Sequence, residues 1–165
     1  MTKLLDIITT LGIHIEYRPD PPSKIRGFYY KDLGDEIIVM NEDIKDETEF
    51  RHVLAHELGH YFTTITTKSL SPYSSYLDIL NTHRNESRAI RWACDYLIPT
   101  YDLLGYLKSQ KGVSIADIAL AFKVTEEMIT MKFTIMSLER LYWKVDDKRS
   151  LVLTSLPSIY MYTPL

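Results

Sequence analysis

The chain has 165 residues, 45% of them hydrophobic and 25% charged, with 6 Gly and 7 Pro, which is the composition of a folded domain and excludes a linker or low-complexity segment. Its 19 Lys and Arg against 22 Asp and Glu leave a net charge of −3, which disfavours nonspecific nucleic-acid binding and DNA as the main partner. One cysteine, Cys94, excludes an internal disulfide; the start of the chain lacks a signal-peptide core and no apolar run reaches bilayer length, so a cytoplasmic protein without a membrane partner is expected.

Leu4, Leu5, Ile7, Ile8 and Leu11 recur at helical spacing, and Gly12 is placed to end that helix before the alternating strand Ile13, Ile15, Tyr17. Pro19, Pro21 and Pro22 break the chain, after which Gly27 to Tyr30 and Glu36 to Met40 predict two short strands joined at a turn containing Gly34. Asp46 followed by Glu49 is a capping-box variant, and Phe50, Val53, Leu54 and Leu58 carry a helix to about Tyr61. Residues 63 to 84, rich in Thr, Ser, Asn and Tyr, predict a long loop that serves as a site wall or lid.

A second long helix is expected from about Asn85 to Leu97, ending before Pro99. A further helix begins near Asp102. Ser114 with Asp117, and Thr125 with Glu126 and Glu127, cap two more helices around a tight turn at Lys123 to Thr125, a helix-turn-helix outline. From Trp143 the tail alternates through Val145, Leu151 and Leu153 about the polar stretch Asp146 to Ser150, which predicts a small hairpin.

The chemistry is concentrated in His56-Glu57-Leu58-Gly59-His60, an H-E-x-x-H pattern on a predicted helix. Residues four apart share a helix face, so both imidazoles can address one metal ion with Glu57 beside them as a base. A catalytic zinc needs a third protein ligand and an open position. The metzincin continuation would place Gly and His where Thr63 and Thr66 stand, which removes that branch. Glu86 is the remaining candidate. Its helix face continues through Ala89, Ile90, Ala93 and Leu97, and Ala89 and Ala93, facing Ala55 and Gly59, would let the two helices approach closely.

His83, Tyr73 and Tyr76 are candidates to stabilise an oxyanion from the intervening loop. His52, one turn before His56, is read as supporting a ligand or simply packed rather than ligating, and Asp95, nine residues past Glu86 and on the opposite face, as structural. The strand Glu36 to Met40, if it is a sheet edge beside the cleft, would bind an extended substrate by strand addition. Zinc is the expected metal, with manganese acceptable to the same two-His, one-carboxylate set.

Ile37-Ile38-Val39-Met40-Asn41, then Ala55 to Tyr61, then Glu86-x-x-Ala89-x-x-Trp92-Ala93 running into Leu97-Ile98-Pro99, together resemble the ImmA/IrrE family of metallopeptidases over about residues 13 to 140. Trp92 stands where that pattern commonly has a smaller aromatic. The resemblance implies His56, His60 and Glu86 as zinc ligands and Glu57 as catalytic base. It also implies site-specific cleavage of a helix-turn-helix repressor, typically one of a prophage or mobile element.

The expected fold is α+β. A small zincin-like mixed sheet with the motif helix and the Glu-bearing helix fills residues 1–105, a helix-turn-helix-like subdomain 106–142, and a terminal hairpin 143–165. Residues 106–140 carry five basic against four acidic side chains, and the second helix of the pair opens with Glu126 and Glu127. That is a poor phosphate-reading surface, so the pair is read as structural or partner-docking. The alternative function is a non-cleaving, metal-containing regulatory protein that docks to a repressor or toxin.

Overall fold

The computed structural model describes residues 2–19, 25–32, 34–64, 76–110 and 112–163. Its fold is α+β, with six helices and two three-stranded sheets among the described residues. The chain divides into two compact units, Met1–Ala93 and Cys94–Leu165. No described helix is long and apolar enough to cross a membrane.

In the first unit, α1 (Thr2–Leu11) buries Leu4 and Ile8 and leads into β1 (His14–Arg18). Gly12 reverses the chain at φ +72°, and Ile13 N–H bonds back to the Ile8 carbonyl at 3.1 Å, closing the helix as the apolar spacing predicts. β2 (Gly27–Asp32) and β3 (Asp35–Asn41) follow, then α2 (Glu47–Thr63) and α3 (Tyr76–Leu97), whose last turn from Cys94 belongs to the second unit. The sheet order is β1-β3-β2, with β1 parallel and β2 antiparallel to β3.

This order corrects one expectation. β3, which contains Glu36 to Met40, is the central strand, and β1 and β2 are the edges. Ile38, Val39 and Met40 are accordingly buried in succession rather than alternately, as a strand covered on both faces requires. A second correction concerns α3, which begins at Tyr76 and not near Asn85; the polar run Asn81 to Asn85 separates the apolar residues of its first turns, Leu77, Ile79 and Leu80, from the apolar face that starts at Ala89.

α2 starts at Asp46, whose Oδ1 accepts from Glu49 N–H at 2.7 Å. Its buried face is Leu54, Ala55, Leu58 and Gly59. A Cβ on Gly59 would lie 2.9 Å from Ala89 Cα and would fall on the Ala89 carbonyl, so α2 and α3 approach at a distance only glycine permits there. Ala55, Ala89 and Ala93 are fully buried. The small-residue faces expected from the sequence therefore do bring the two helices together.

In the second unit, α4 (Thr100–Ser109), α5 (Ile115–Phe122) and α6 (Glu126–Glu139) precede a meander of β4 (Tyr142–Lys144), β5 (Ser150–Ser155) and β6 (Ser158–Tyr162). The predicted terminal hairpin thus gains a third strand. Ser114 and Asp117 form a reciprocal capping box, Lys123 turns the chain in the left-handed region at φ 53°, and Thr125 accepts from Met128 N–H at 3.2 Å. The helix pair is built from local caps, with Ile118, Ile129, Phe133 and Met136 in its core. Lys132 is fully buried, its Nζ donating to Asp95 Oδ1 at 2.6 Å and Thr100 Oγ1 at 2.9 Å. Asp95 is the structural residue its helix face suggested. Cys94 is buried, and burial pushes its thiol up to about 12.

Candidate metal centre

α2 presents His56 and His60 one turn apart, and α3 presents Glu86 opposite them. The two Nε2 atoms are 3.1 Å apart, and each lies 3.4 Å from a different Glu86 oxygen. The imidazole rings stand nearly perpendicular, with centroids 4.7 Å apart. Among the described residues this is the group of three metal-ligating side chains whose donor atoms converge.

The donor set fits a metal. Four ligands placed tetrahedrally about 2.0–2.1 Å from an ion are separated by about 3.3–3.4 Å, because the edge of a tetrahedron is about 1.6 times its centre-to-vertex distance. The observed separations, 3.1 Å between the two Nε2 atoms and 3.4 Å from each to its nearer Glu86 oxygen, are close to that edge length. An ion held by these three residues would have a further position for water or substrate.

The electrostatics agree with a site built for a cation. Hydrogen bonds from His56 and His60 hold the Glu86 carboxyl well below the usual carboxylate range. At His60, burial opposes a charged imidazole, but the hydrogen bond with Glu86 and the charges of Glu57 and Glu86 outweigh it and raise its affinity for a proton.

Glu57 is placed differently from its neighbours. It is 4% exposed, and its Oε2 accepts from the backbone N–H of Tyr29 on β2 at 2.8 Å. Burial pushes its carboxyl up from the ordinary value, against the downward pull of His56 and His60. A cavity of about 450 Å³ opens beside it, with residues 27–31 of β2 on one side and Thr82, Asn85 and Glu86 of α3 on the other.

Of the oxyanion candidates, His83 is exposed and is not brought to this cavity, Tyr73 lies outside the described residues, and of Tyr76 only the backbone, at the start of α3, is described. Nor does His52 join the cluster. Three contributors escaped the sequence reading. Tyr29 acts through its backbone, which no residue type announces. Thr64, whose Oγ1 is 3.2 Å from His60 Nδ1, sits in a Thr-rich run that carries no pattern. Asn85 lines the cavity one position before Glu86, and its place at the head of the apolar face could have suggested it.

Residues 8–134 match the family model Peptidase_M78, the IrrE N-terminal-like domain. The chain belongs to this family. No curated protein and no solved structure matches the chain. Membership in a metallopeptidase family implies a metal cofactor, and the His56, His60 and Glu86 cluster is where the chain could hold one. Trp92, the departure from the commoner pattern, stacks on Phe62 of α2 with centroids 4.9 Å apart and planes inclined by 23°. Its extra ring is accommodated on the helix pair and does not line the cavity.

Proposed function

We propose that this protein is a zinc-dependent endopeptidase whose substrate is a helix-turn-helix repressor. The observation that carries the peptidase reading is the triangle of His56, His60 and Glu86 donor atoms with the buried Glu57 carboxyl alongside and a cavity between β2 and α3. The choice of substrate rests on the resemblance to ImmA/IrrE peptidases together with the family match. His56, His60 and Glu86 are the metal ligands in this reading. Zinc suits two imidazoles and one carboxylate, and manganese is compatible with the same donors. When bound, the ion acidifies water and polarises the scissile carbonyl.

Glu57 supplies the proton chemistry. Tyr29 N–H fixes Oε2, which leaves Oε1 to accept a proton from the attacking water and return it to the departing amine. Burial raises the carboxyl toward neutrality, where acceptance and return of a proton are both fast. Substrate orientation falls to β2. Asn41 N–H bonds to the Arg26 carbonyl at 2.9 Å, whereas Tyr29 N–H turns the other way, so by strand alternation Gly27, Tyr29 and Lys31 direct their backbone groups away from β3. An extended substrate segment adding to this edge would run beside the donor atoms. A proline at Lys31 removes an outward N–H without touching the β2–β3 ladder and should weaken cleavage in a folded protein; undiminished cleavage by Lys31→Pro would reject strand addition at this edge.

The test of the function is co-expression with the repressor encoded nearest the gene, wild type against Glu57→Gln, read by intact mass. A fragment pair present only with wild type is expected. A partner that co-purifies uncut with both proteins would overturn cleavage in favour of the docking reading.

A further inference from the structure

We infer that Thr64 is a positioning residue for the metal site, holding His60 through its Nδ1; this rests on the metal reading above. α2 ends at Thr63, and Thr64 is its C-cap, in an extended conformation at φ −82° and ψ 119°. Two contacts converge on the same histidine. Thr64 N–H donates to the His60 carbonyl at 2.9 Å, and Thr64 Oγ1 lies 3.2 Å from His60 Nδ1. The first fixes where the residue sits, and the second uses that position to reach the ring. Because the backbone bond ties Thr64 to residue 60, the hydroxyl keeps its place relative to the imidazole.

The ring nitrogen on the other side, Nε2, is the one that faces His56 and Glu86. An imidazole that coordinates through Nε2 carries its proton on Nδ1, and a metal-ligating histidine donates that proton to an oxygen acceptor, which fixes both tautomer and ring plane. Thr64 Oγ1 is such an acceptor, at the correct nitrogen and at hydrogen-bond distance. The neighbouring Thr63 does not compete, since its hydroxyl donates to the Gly59 carbonyl at 2.7 Å within the helix. Two adjacent threonines therefore divide the work. One closes on the helix backbone, and the next orients the ligand.

The experiment measures zinc affinity of the full chain by competition with a chelator of known affinity, for wild type, Thr64→Val and Thr64→Ser. Valine keeps the shape and removes the acceptor, and serine keeps the hydroxyl. Loss of an outer acceptor of this kind costs about 10–100-fold in affinity, so Thr64→Val should weaken zinc by that factor while Thr64→Ser stays close to wild type. A merely structural role for the C-cap would not separate the two variants by their hydroxyl. Equal affinity in wild type and Thr64→Val, or equal loss in both variants, overturns the assignment while leaving the metal site intact. Failure of the wild-type chain itself to bind zinc overturns the metal reading and this one with it, so the two failures are told apart.

Discussion

Glu57 in the first unit and Lys132 in the second are both buried charged side chains, and the contrast between them separates chemistry from architecture. Lys132 donates to Asp95 and to Thr100, linking α6 to the end of α3 and the start of α4 within its unit, and it does not line the cavity. Glu57 is held at one oxygen by Tyr29 N–H, borders the cavity, and has its carboxyl pushed up by burial. An enclosed, paired charge resists change and pins helices together. A buried acid that opens on a cavity is costly to the fold and useful to a reaction, which is why perturbed groups gather at functional sites.

One substitution in each region puts this contrast at risk. Glu57→Gln should lower cleavage by about 10²–10⁴-fold, the usual range for a removed general base, and should leave thermal stability unchanged or higher because a buried charge has gone. Full activity in the variant would break the assignment of roles. Asp95→Ala should do the reverse. It leaves the Lys132 ammonium buried without its carboxylate and should cost about 3 kcal/mol, at the low end for a broken buried pair because Asp95 is itself half-exposed. Its zinc affinity should match wild type. The counter-variant Lys132→Met replaces the ammonium with an apolar chain of similar length, and Asp95 can then hydrate, so urea midpoints should return to at least the wild-type value. A Lys132→Met protein as weak as Asp95→Ala would show that the ion pair itself is needed.

What the sequence made visible was local and periodic. His56 and His60 at a spacing of four, the Glu86 face with Ala89 and Ala93, and the caps at Asp46, Ser114 and Thr125 each depend on residues within a turn or two of helix, and each is found where the spacing placed it. The close approach at Gly59 was legible for the same reason, since small residues repeated along facing helix surfaces remove the side-chain bulk that would hold two backbones apart. Strand order was not legible. Whether β2 or β3 forms the edge depends on β1 returning to pair in parallel with β3, a tertiary choice that no residue between them encodes. His83 stays off the cavity for a related reason: its side-chain chemistry suggested it, whereas the cavity wall is set by which turn of α3 faces β2, and Thr82, Asn85 and Glu86 stand there. Tyr29 and Thr64 enter through backbone geometry and a helix end, features that composition does not reveal.

A smaller effect extends the contrast to acid. Asp146 is another closed partner set of the second unit: it accepts from the Lys148 N–H at 2.9 Å and from the Arg149 N–H and Nε at 2.8 and 2.7 Å, and Arg149 in turn donates to the carbonyls of Gln110 and Lys108 at the end of α4. The backbone donation from Lys148 and the Arg149 guanidinium hold the Asp146 carboxyl below its ordinary value. A carboxyl lowered in the folded state binds its proton more tightly when unfolded. Its contribution is therefore complete above the ordinary aspartate range and disappears as pH falls through the folded value. Urea midpoints of wild type and Asp146→Asn should differ most near neutrality and converge below about pH 3.8, the unperturbed aspartate value. Because this carboxylate reaches solvent, the difference should be smaller than that for Asp95→Ala. A gap that instead widened on acidification would mean that Asp146 is strained in the fold, and the second unit would then hold a poorly compensated acid of its own.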